Sequence, residues 1–455
     1  MAVPAIVMTE RFDKACRTLV VGLGETGLSV ARYLSRQGVP VAIVDSREQP
    51  PGLARSRTEL SADVALFLGG FNRDAFERAE QIVLSPGVSM NEPEIAAARA
   101  RQVPVIGDIE LFAQTARAPV IAVTGSNGKS TVVTLLSAMA RRAGLEVRTG
   151  GNIGTPALDL IAADEPDLYV LELSSFQLET LQSLQPQAAV VLNISDDHLD
   201  RYRDLQDYAT AKQAVYRHAA LQVVNLDDPV AAALADVLQP IAGFTGSVPA
   251  ANEYGLVDVG GETWLARGDM HLMPASGVQM AGRHNLVNAL AALALGEAAG
   301  LPLTAMVETL AEFQGLPHRM QYVAEHNGVR WFNDSKGTNV GATLAAIEGV
   351  DGPVVLIAGG DGKGADFSPL AAALQRKGHG AVLIGKDAPL LEAVLQDAVP
   401  VMHAGDMLQA VQLAATMAQS GDCVLLSPAC ASLDMYRNFE ERGDLFMQAV
   451  SEVLR

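Results

Sequence analysis

The sequence predicts an α/β fold in which helices pack on mostly parallel sheets. The chain has 455 residues, of which 49% are hydrophobic and only 5% aromatic. Ala, Leu and Val carry most of the apolar content, a mixture typical of helices that pack on strands buried on both faces. Short apolar runs alternate with Ala/Leu-rich helical stretches, and this alternation is typical of parallel α/β sheets.

Three segments carry this alternation most clearly, and in each a turn of small and polar residues separates the apolar run from the helical stretch. They are TLVVGLG before TGLSVARYLSRQG, VIAVTGSNG before KSTVVTLLSAMARRAG, and VVLIAGGDG before SPLAAALQRKG. Such sheets bind ligands at the carboxyl ends of their strands. We therefore expect the functional residues directly after the apolar runs.

Two breaks in this pattern divide the chain into three domains. The first lies near Gly107, before the apolar run that leads into a Gly-Lys loop. The second lies in FQGLPHRM, residues 313–320, where a helical stretch stops and Gly and Pro intervene. We therefore expect domains at residues 1–107, 108–315 and 316–455.

The charge argues against nucleic acid and anionic membranes as partners, and the cysteines argue against an oxidising compartment. Acidic residues outnumber basic ones by 52 to 33, which gives a formal net charge of −19. This field opposes binding to nucleic acid or to an anionic membrane, whereas a small anionic substrate needs only local positive charge. Cys16, Cys423 and Cys430 have neither a disulfide pattern nor a metal-binding spacing. No apolar run approaches the length of a membrane span, so we expect a soluble, cytoplasmic protein.

A glycine-rich turn near the N-terminus predicts a phosphate-binding site. Gly22, Gly24 and Gly27 follow an apolar run and open a helical stretch, and Asp45 ends the next apolar run, VAIVD. In a dinucleotide site of this spacing, the turn and the helix N-terminus bind phosphate and the acid binds a ribose hydroxyl. The residues alone leave three alternatives open: an NAD-dependent oxidoreductase, a purely structural turn, or a site for another nucleotide diphosphate such as UDP.

A second glycine-rich loop, TGSNGKST at residues 124–131, indicates nucleotide binding more strongly. It lies between an apolar run and a helical stretch. In such a loop the backbone amides bind phosphates, Lys129 neutralises their charge, and the Ser130 hydroxyl reaches Mg²⁺. The full P-loop pattern has Gly where this chain has Val123, so the loop is a variant. The alternative is an ordinary Gly/Ser turn with a solvated lysine.

Polar residues also follow later apolar runs of the middle third. Glu172 ends DLYVLE, and it is a candidate Mg²⁺ ligand because this cation prefers hard oxygen ligands. His198 follows AAVVLNISDD, where an isolated histidine is as readily a surface residue as a ligand. Lys212, in YATAKQAVYRH, is by itself most simply a solvated helix lysine. Asn285 and Asn288 share a helix face, where they can bind a nucleotide or cap the helix.

Three apolar runs in the C-terminal third are also followed directly by polar residues. The runs are VRWFN, VVLIAGG and CVLL, and the residues that follow them include Asp334, Lys336, Thr338, Asp361, Lys363, Ser427, Ser432 and Phe439. Any one of these sets can be a turn with a helix cap. All three together, with Arg319, favour a single sheet edge that faces an anionic ligand.

These motifs, taken in order, resemble those of the Mur ligases over nearly the whole chain. The segments that carry the resemblance are TGSNGKST at 124–131, GNIG at 151–154, LELSSFQ at 171–177, Asn193 with HLDRY at 198–202, HN at 284–285, GLPHR at 315–319, DSKGTN at 334–339 and SPACAS at 427–432. The resemblance implies a Rossmann-like N-terminal domain, a central P-loop-type ATPase domain with a mostly parallel sheet, and a Rossmann-like C-terminal domain.

The stretch from Ser427 to Phe439 resembles in particular the family members that use glutamate. It implies ATP-dependent ligation of D-glutamate to UDP-N-acetylmuramoyl-L-alanine, a step of peptidoglycan precursor synthesis, through an acyl phosphate and with two Mg²⁺ ions. A UDP site then replaces the NAD alternative at the first turn. The nearest alternative is a sibling ligase for another amino acid or a folylpolyglutamate-type enzyme. We also expect a monomer that binds neither nucleic acid nor a membrane.

The resemblance also implies roles for individual residues. Those implied in UDP-substrate binding are Glu25, Thr26, Asp45, Ser46, Arg47, Ser85, Gly87 and Asn152. Those implied in ATP binding are Gly125, Asn127, Gly128, Lys129, Ser130, Thr131, Asn285, Arg319 and Asp334. Those implied in glutamate binding are Thr338, Lys363, Ser432 and Phe439. The implied metal ligands are Ser130, Glu172, His198 and Lys212, and the implied catalytic residues are Lys129, His198 and Lys212.

Lys212 can bind a metal only after a chemical change. An ordinary lysine is protonated at neutral pH and has no lone pair to offer. The resemblance implies that Lys212 is carbamylated, and a carbamate is an anion with two hard oxygens that suit Mg²⁺. The alternative, a solvated helix lysine, would make no contact with the metal.

Overall fold

The structure, a computed structural model, describes residues 18–198 and 201–455, which form three sheets flanked by helices. Most neighbouring strands are parallel, so the predicted α/β class is confirmed. Within these ranges, no helix has the length and apolar character needed to cross a membrane. Cys16 lies outside the described residues, as do Leu199 and Asp200 of HLDRY, whereas Cys423 and Cys430 are buried free thiols.

The N-terminal sheet is fully parallel, with strand order β3-β2-β1-β4-β5. Its strands are β1 (Thr18–Val21), β2 (Val41–Asp45), β3 (Ala65–Leu68), β4 (Gln81–Leu84) and β5 (Val105–Gly107), and the helices are α1 (Glu25–Arg36), α2 (Leu53–Glu59), α3 (Arg73–Arg78), α4 (Pro93–Ala100) and α5 (Asp108–Ala113). The strand order reverses between β1 and β4, and open α/β sheets bind ligands in the crevice at that point. The Gly22 turn and Ser85 lie at this crevice.

The central sheet has nine strands in the order β14-β13-β12-β11-β10-β9-β6-β8-β7. Its strands are β6 (Val120–Thr124), β7 (Val147–Gly151), β8 (Leu168–Glu172), β9 (Ala188–Val191), β10 (Gln222–Asn225), β11 (Ile241–Phe244), β12 (Tyr254–Val259), β13 (Glu262–Arg267) and β14 (Met270–Pro274). The helices are α6 (Lys129–Arg142), α7 (Ser175–Leu178), α8 (Leu205–Gln213), α9 (Pro229–Ala232), α10 (Arg283–Ala298) and α11 (Leu303–Glu312). Strand β6 lies between β8 and β9, so the ends of these three strands meet at one point of the sheet edge.

The C-terminal sheet has six strands in the order β15-β16-β20-β17-β18-β19. Its strands are β15 (Gln321–His326), β16 (Val329–Asn333), β17 (Val354–Gly359), β18 (Gly378–Ile384), β19 (Val401–His403) and β20 (Cys423–Leu426), and the helices are α12 (Val340–Gly349), α13 (Ser368–Lys377), α14 (Ala388–Leu395), α15 (Met407–Met417) and α16 (Phe439–Val453). Strands β16, β20 and β17 are adjacent and parallel. The three apolar runs of the C-terminal third therefore end side by side, as expected.

Two antiparallel additions were not expected from the alternation of strands and helices. Strand β12 pairs with β13 and β13 with β14 as a meander, and β15 pairs with β16 as a hairpin. Two of the three hairpin turns, those that join β12 to β13 and β15 to β16, use pairs with positive φ: Gly260 and Gly261 (66° and 91°) and Asn327 and Gly328 (52° and 77°). Two-residue hairpin turns favour such pairs, so the local signal for both hairpins is present in the sequence.

Candidate active site

The loop between β6 and α6 exposes the N-terminus of a fourteen-residue helix. Gly125 and Gly128 have φ values of 148° and 83°, a region that glycine adopts without strain. Asn193, after β9, fixes the loop: its Oδ1 accepts from the Asn127 amide at 2.8 Å, and its Nδ2 donates to the Asn127 carbonyl at 3.0 Å. The first amides of a helix have no partner within the helix, so this loop can bind phosphate.

A carboxylate and a hydroxyl meet beside this loop. Glu172 ends β8 and is buried, and its Oε2 accepts from Ser130 Oγ at 2.7 Å. Its Oε1 accepts from Asn152 Nδ2 at 2.8 Å, and Arg319 Nη2 donates to the same Ser130 Oγ at 2.8 Å. Four predicted residues from separate parts of the chain are therefore joined in one hydrogen-bonded group.

The oxygens of this group are of the kind that Mg²⁺ prefers. Over residues 18–198 and 201–455, no three His, Cys, Asp or Glu side chains converge as metal ligands. Magnesium commonly binds through one or two protein oxygens together with phosphate oxygens and water. Glu172 and Ser130, beside a phosphate-binding loop, supply such oxygens.

Lys129 lies over its own loop. Its Nζ donates to the carbonyls of Gly125 at 2.7 Å and Ser126 at 2.8 Å. Burial lowers the pKa of Lys129, while the nearby carboxylates Glu172 and Asp197 oppose that shift. The Lys129 side chain is therefore already in place to contact an anion that binds at the loop.

Lys212, on α8, is buried, with only 1% of its surface exposed, so the alternative of a solvated lysine is wrong. Its Nζ donates to the Gly125 carbonyl at 3.0 Å and to Thr124 Oγ1 at 3.4 Å, and lies 4.6 Å from the centroid of the Tyr208 ring. Burial lowers its pKa well below the usual lysine value, and Lys129 adds to that effect. Desolvation of this side chain therefore favours the neutral amine over the ammonium form.

A cavity of about 380 Å³ opens between the central and C-terminal sheets. Six residues predicted to bind ATP line it: Asn127, Gly128, Thr131, Asn285, Arg319 and Asp334. The amides of Asn285 and Asn288 are joined by a hydrogen bond of 3.1 Å, so these two residues do share a helix face. Burial raises the pKa of Asp334 to about 7, although hydrogen bonds from Ser427 and the Met320 amide favour its carboxylate.

The N-terminal turn forms a second polar site, around Asp45. The Asp45 Oδ2 accepts from the Leu23 amide at 2.7 Å, and the Arg47 guanidinium pairs with both carboxylate oxygens. Although burial opposes ionisation, these hydrogen bonds lower the pKa of Asp45. Ser85 Oγ contacts the Gly22 carbonyl at 3.2 Å. Ser46 and Gly87, also predicted for this site, lie in the loops at the same sheet edge. Thr26 lies in the first turn of α1, and Glu25, on the exposed face of α1, is paired with Arg55.

The residues predicted to bind glutamate follow three strands of the C-terminal sheet: Thr338 follows β16, Lys363 follows β17, and Ser432 and Phe439 follow β20. A backbone bridge between Asp361 and Ala431 brings the loops of Lys363 and Ser432 together. Phe439 opens α16, and its ring centroid lies 3.9 Å from the Lys336 Nζ. Ser432 is buried, Thr338 is partly buried and Lys363 is exposed.

His198 has a φ of 57°, and its ring packs edge-on against Phe176 with 4.7 Å between the centroids. It lies beyond β9, at the same sheet edge as the loop of Lys129.

Some residues of this region were not predicted. Asn193 carries the same signal as the predicted residues, because it is a polar residue that follows an apolar run. Asn339 is the N-cap of α12, yet its side-chain amide also exchanges two hydrogen bonds with that of Asn127, at 3.2 and 3.3 Å. The sequence pattern that predicts an N-cap does not predict a contact with a residue so far away in the chain. The phosphate-binding loop is thereby joined to the C-terminal sheet.

Three family models match the chain in succession. They are the Mur ligase MurD-like N-terminal domain at residues 16–107, the Mur ligase middle domain at 123–296, and the Mur ligase glutamate ligase domain at 318–430. The solved UDP-N-acetylmuramate-alanine ligase from Thermotoga maritima is similar in fold, with a TM-score of 0.58 and 20% identity over 96% of this chain and 99% of that one.

Curated relatives are much closer in sequence. A protein of Nitrosococcus oceani named UDP-N-acetylmuramoylalanine--D-glutamate ligase is 57% identical over 442 residues, which cover 97% of each chain. A protein of the same name from Pseudomonas syringae pv. syringae is 50% identical over 98% of this chain and 99% of its own. With three successive domain models and near full-length relatives, the chain belongs to the Mur ligase family.

Proposed function

We propose that this ATP-dependent, amide-forming ligase joins D-glutamate to UDP-N-acetylmuramoyl-L-alanine during peptidoglycan precursor synthesis. The observation that carries the proposal is 57% identity, over nearly the whole chain, to a relative named for that reaction. The hydrogen-bonded group of Glu172, Ser130 and Arg319 beside the phosphate-binding loop supports it independently. We further propose that the enzyme works in the cytoplasm as a monomer, with domains at residues 1–107, 108–315 and 316–455.

The chemistry requires activation of a carboxylate. A carboxylate does not condense with an amine at neutral pH because its leaving group is poor. The alanine carboxylate of the UDP-substrate takes the γ-phosphoryl group of ATP, which forms an acyl phosphate and releases ADP. The neutral amino group of glutamate then attacks the acyl carbon, and the amide forms with loss of phosphate and a proton. Catalysis of phosphoryl transfer is mostly positioning and charge stabilisation, so no residue need act as a covalent nucleophile.

We assign the ATP side of the site to the loop and the cavity beside it. The loop amides and Lys129 bind the phosphates, Arg319 reaches them from the C-terminal domain, and Asn285 and Asp334 hold the rest of the nucleotide. Bound Mg²⁺ neutralises phosphate charge, and two ions are proposed. Ser130 and Glu172 would hold the first ion, and carbamylated Lys212 and His198 would hold the second.

The other two substrates are assigned to the outer domains. The turn around Asp45 and Ser85 binds the UDP end, while Asn152 and His198 lie toward the muramoyl-alanine end. Lys363 and the loop of Ser432 bind the glutamate carboxylates by charge-assisted hydrogen bonds. Thr338 and Phe439 complete that site. Domain closure would exclude water from the acyl phosphate, which water otherwise hydrolyses.

The acceptor amino acid tests the proposed function directly. Phosphate release from ATP should require UDP-N-acetylmuramoyl-L-alanine and should proceed with D-glutamate, because the proposed reaction releases phosphate only when the acyl phosphate meets its amine. A panel of D- and L-amino acids, assayed by phosphate release and by mass of the product, measures this preference. Equal rates with L-glutamate, or preference for lysine or diaminopimelate, would assign the chain to a sibling activity. Turnover of NAD(H) without ATP would favour the oxidoreductase alternative.

Gly128→Ala tests the phosphate-binding loop. A Cβ at this position would lie 2.4 Å from Asn288 Oδ1, and the backbone has a φ of 83°. We expect a stability loss of about 1–2 kcal/mol from the left-handed backbone and, in addition, a large loss of ATP affinity from the displaced loop. Denaturant titration and calorimetric ATP titration measure the two effects.

Gly144→Ala is the matched control. Gly144 follows the other end of α6 with a φ of 90°, and a Cβ there would meet open space. The control should therefore share the backbone penalty and retain ATP binding. If both variants bind ATP like the wild type, the loop is not the phosphate site.

A further inference from the structure

Arg201, in the HLDRY segment, reaches from the central domain to the N-terminal sheet. One guanidinium nitrogen donates to the Pro86 carbonyl at 2.8 Å, and the other donates to the Val88 carbonyl at 3.0 Å. These carbonyls belong to the turn after β4, where the Val88 amide donates to the Ser85 carbonyl at 3.0 Å. One side chain of the central domain thus spans the turn that carries Ser85 and Gly87.

The guanidinium is held in place from the central-domain side as well. It donates to Glu179 Oε2 at 3.2 Å, and its central carbon lies 4.1 Å from the centroid of the Phe176 ring. The hydroxyl of Tyr202 donates to the other oxygen of Glu179 at 2.6 Å, and the Tyr202 ring stacks on Phe176. The Arg201 side chain is only 14% exposed. A planar cation fixed on an aromatic face and by a carboxylate is a rigid donor to the turn.

The same aromatic ring connects this contact to His198. Phe176 has the Arg201 guanidinium within 4.1 Å of its centroid and the His198 ring within 4.7 Å. The turn at the N-terminal crevice and the histidine at the central sheet edge are thus separated by two packed side chains.

We propose that Arg201 is a positioning residue for the UDP-substrate, which acts by holding the Ser85–Val88 turn against the central domain. The inference rests on the proposed function, because it takes the crevice beside Ser85 as the UDP site. Without Arg201, the turn keeps its own backbone contacts and the Ser85 contact to Gly22, but two of its carbonyls lose their charged donor. A site that must be ordered on binding has lower affinity than one that is already ordered.

Arg201→Met tests this inference, with Arg203→Met as the matched control. Arg203 lies two residues further along, is 84% exposed and pairs with Asp207 one helical turn away. We expect Arg201→Met to weaken UDP-N-acetylmuramoyl-L-alanine binding about tenfold, the scale of a lost charged hydrogen bond, and to raise the KM for that substrate accordingly. The KM for ATP should stay unchanged, and Arg203→Met should match the wild type in both.

Calorimetric titration with UDP alone, and with the UDP-substrate without ATP, separates positioning from chemistry. Weaker binding of both ligands to Arg201→Met, with thermal unfolding close to that of the wild type, is the expected result. Equal binding by Arg201→Met and the wild type overturns the inference and leaves the proposed function standing. A parallel rise of the KM for ATP also overturns it, since it indicates a general structural role. No binding of the UDP-substrate by the wild type overturns the proposed function itself.

Arg201→Lys keeps the test decisive if the methionine variant does not fold. A lysine retains the charge but cannot span two carbonyls with a planar fork. We expect weakened binding of UDP and of the UDP-substrate with normal ATP dependence. Wild-type affinity in this variant overturns the role of the two-carbonyl contact.

Discussion

Replacing Lys129 with alanine is expected to abolish ligation while leaving UDP-substrate binding nearly intact. The Lys129 Nζ lies on the phosphate-binding loop, donating to the carbonyls of Gly125 and Ser126. The residues around Asp45 that are assigned to UDP belong to a different sheet. Removing one cation from a phosphoryl-transfer site should cost about 10²–10³-fold in turnover or more, because such sites work by charge stabilisation.

Two measurements check this result. ATP-dependent phosphate release gives the turnover of Lys129→Ala, and calorimetric titration with UDP-N-acetylmuramoyl-L-alanine in the absence of ATP gives its substrate affinity. Wild-type turnover in Lys129→Ala would show that this loop is not the site where the ATP phosphates react. Loss of turnover together with loss of UDP-substrate binding would instead indicate that the variant is misfolded or that the two sites are not separate.

The second large effect is expected for Lys212→Ala. Lys212 is buried, and among the described residues its Nζ donates hydrogen bonds only to Thr124 Oγ1 and the Gly125 carbonyl. Its burial lowers its pKa well below the usual lysine value. A neutral amine adds CO₂, and the resulting carbamate would be an anionic oxygen ligand beside Glu172 and the loop. Loss of this ligand should reduce activity by orders of magnitude, on the scale of a lost transition-state charge contact.

Chemical rescue distinguishes the carbamate from a structural lysine. Small carboxylic acids such as acetate should restore part of the activity of Lys212→Ala, because they fit the vacated space and present the same oxygens. They should not rescue Lys129→Ala, which serves as the matched control. With ¹³C-bicarbonate, the wild type should show a carbamate carbon signal that Lys212→Ala lacks. A fully active Lys212→Ala enzyme, or a wild type without that signal when Mg²⁺ is bound, would exclude the modification.

Local sequence patterns predicted many of the strands and helices and many of the candidate residues. The apolar runs before Gly22, Gly125 and Glu172 predicted strands because strands buried on both faces need continuous apolar residues. Polar residues directly after such runs, such as Glu172 and Asp334, were predicted to be functional because parallel strands end at one edge. The three hairpins were missed although Gly-Gly and Asn-Gly turns are present in two of them, since a pattern of alternating strands and helices favours parallel pairing.

The contacts that assemble the candidate site were decided only by the tertiary structure. Ser130 meets Arg319 across 189 positions of the chain, and Asn127 meets Asn339 across 212. Such pairings follow from strand order and domain packing, which no local periodicity encodes. Lys212 shows the difference most clearly: its helix pattern is compatible with a solvated face, whereas packing against Tyr208 and the loop buries it. Burial lowers the pKa of its amine because desolvation disfavours the charged form, and this burial was decided by the tertiary structure.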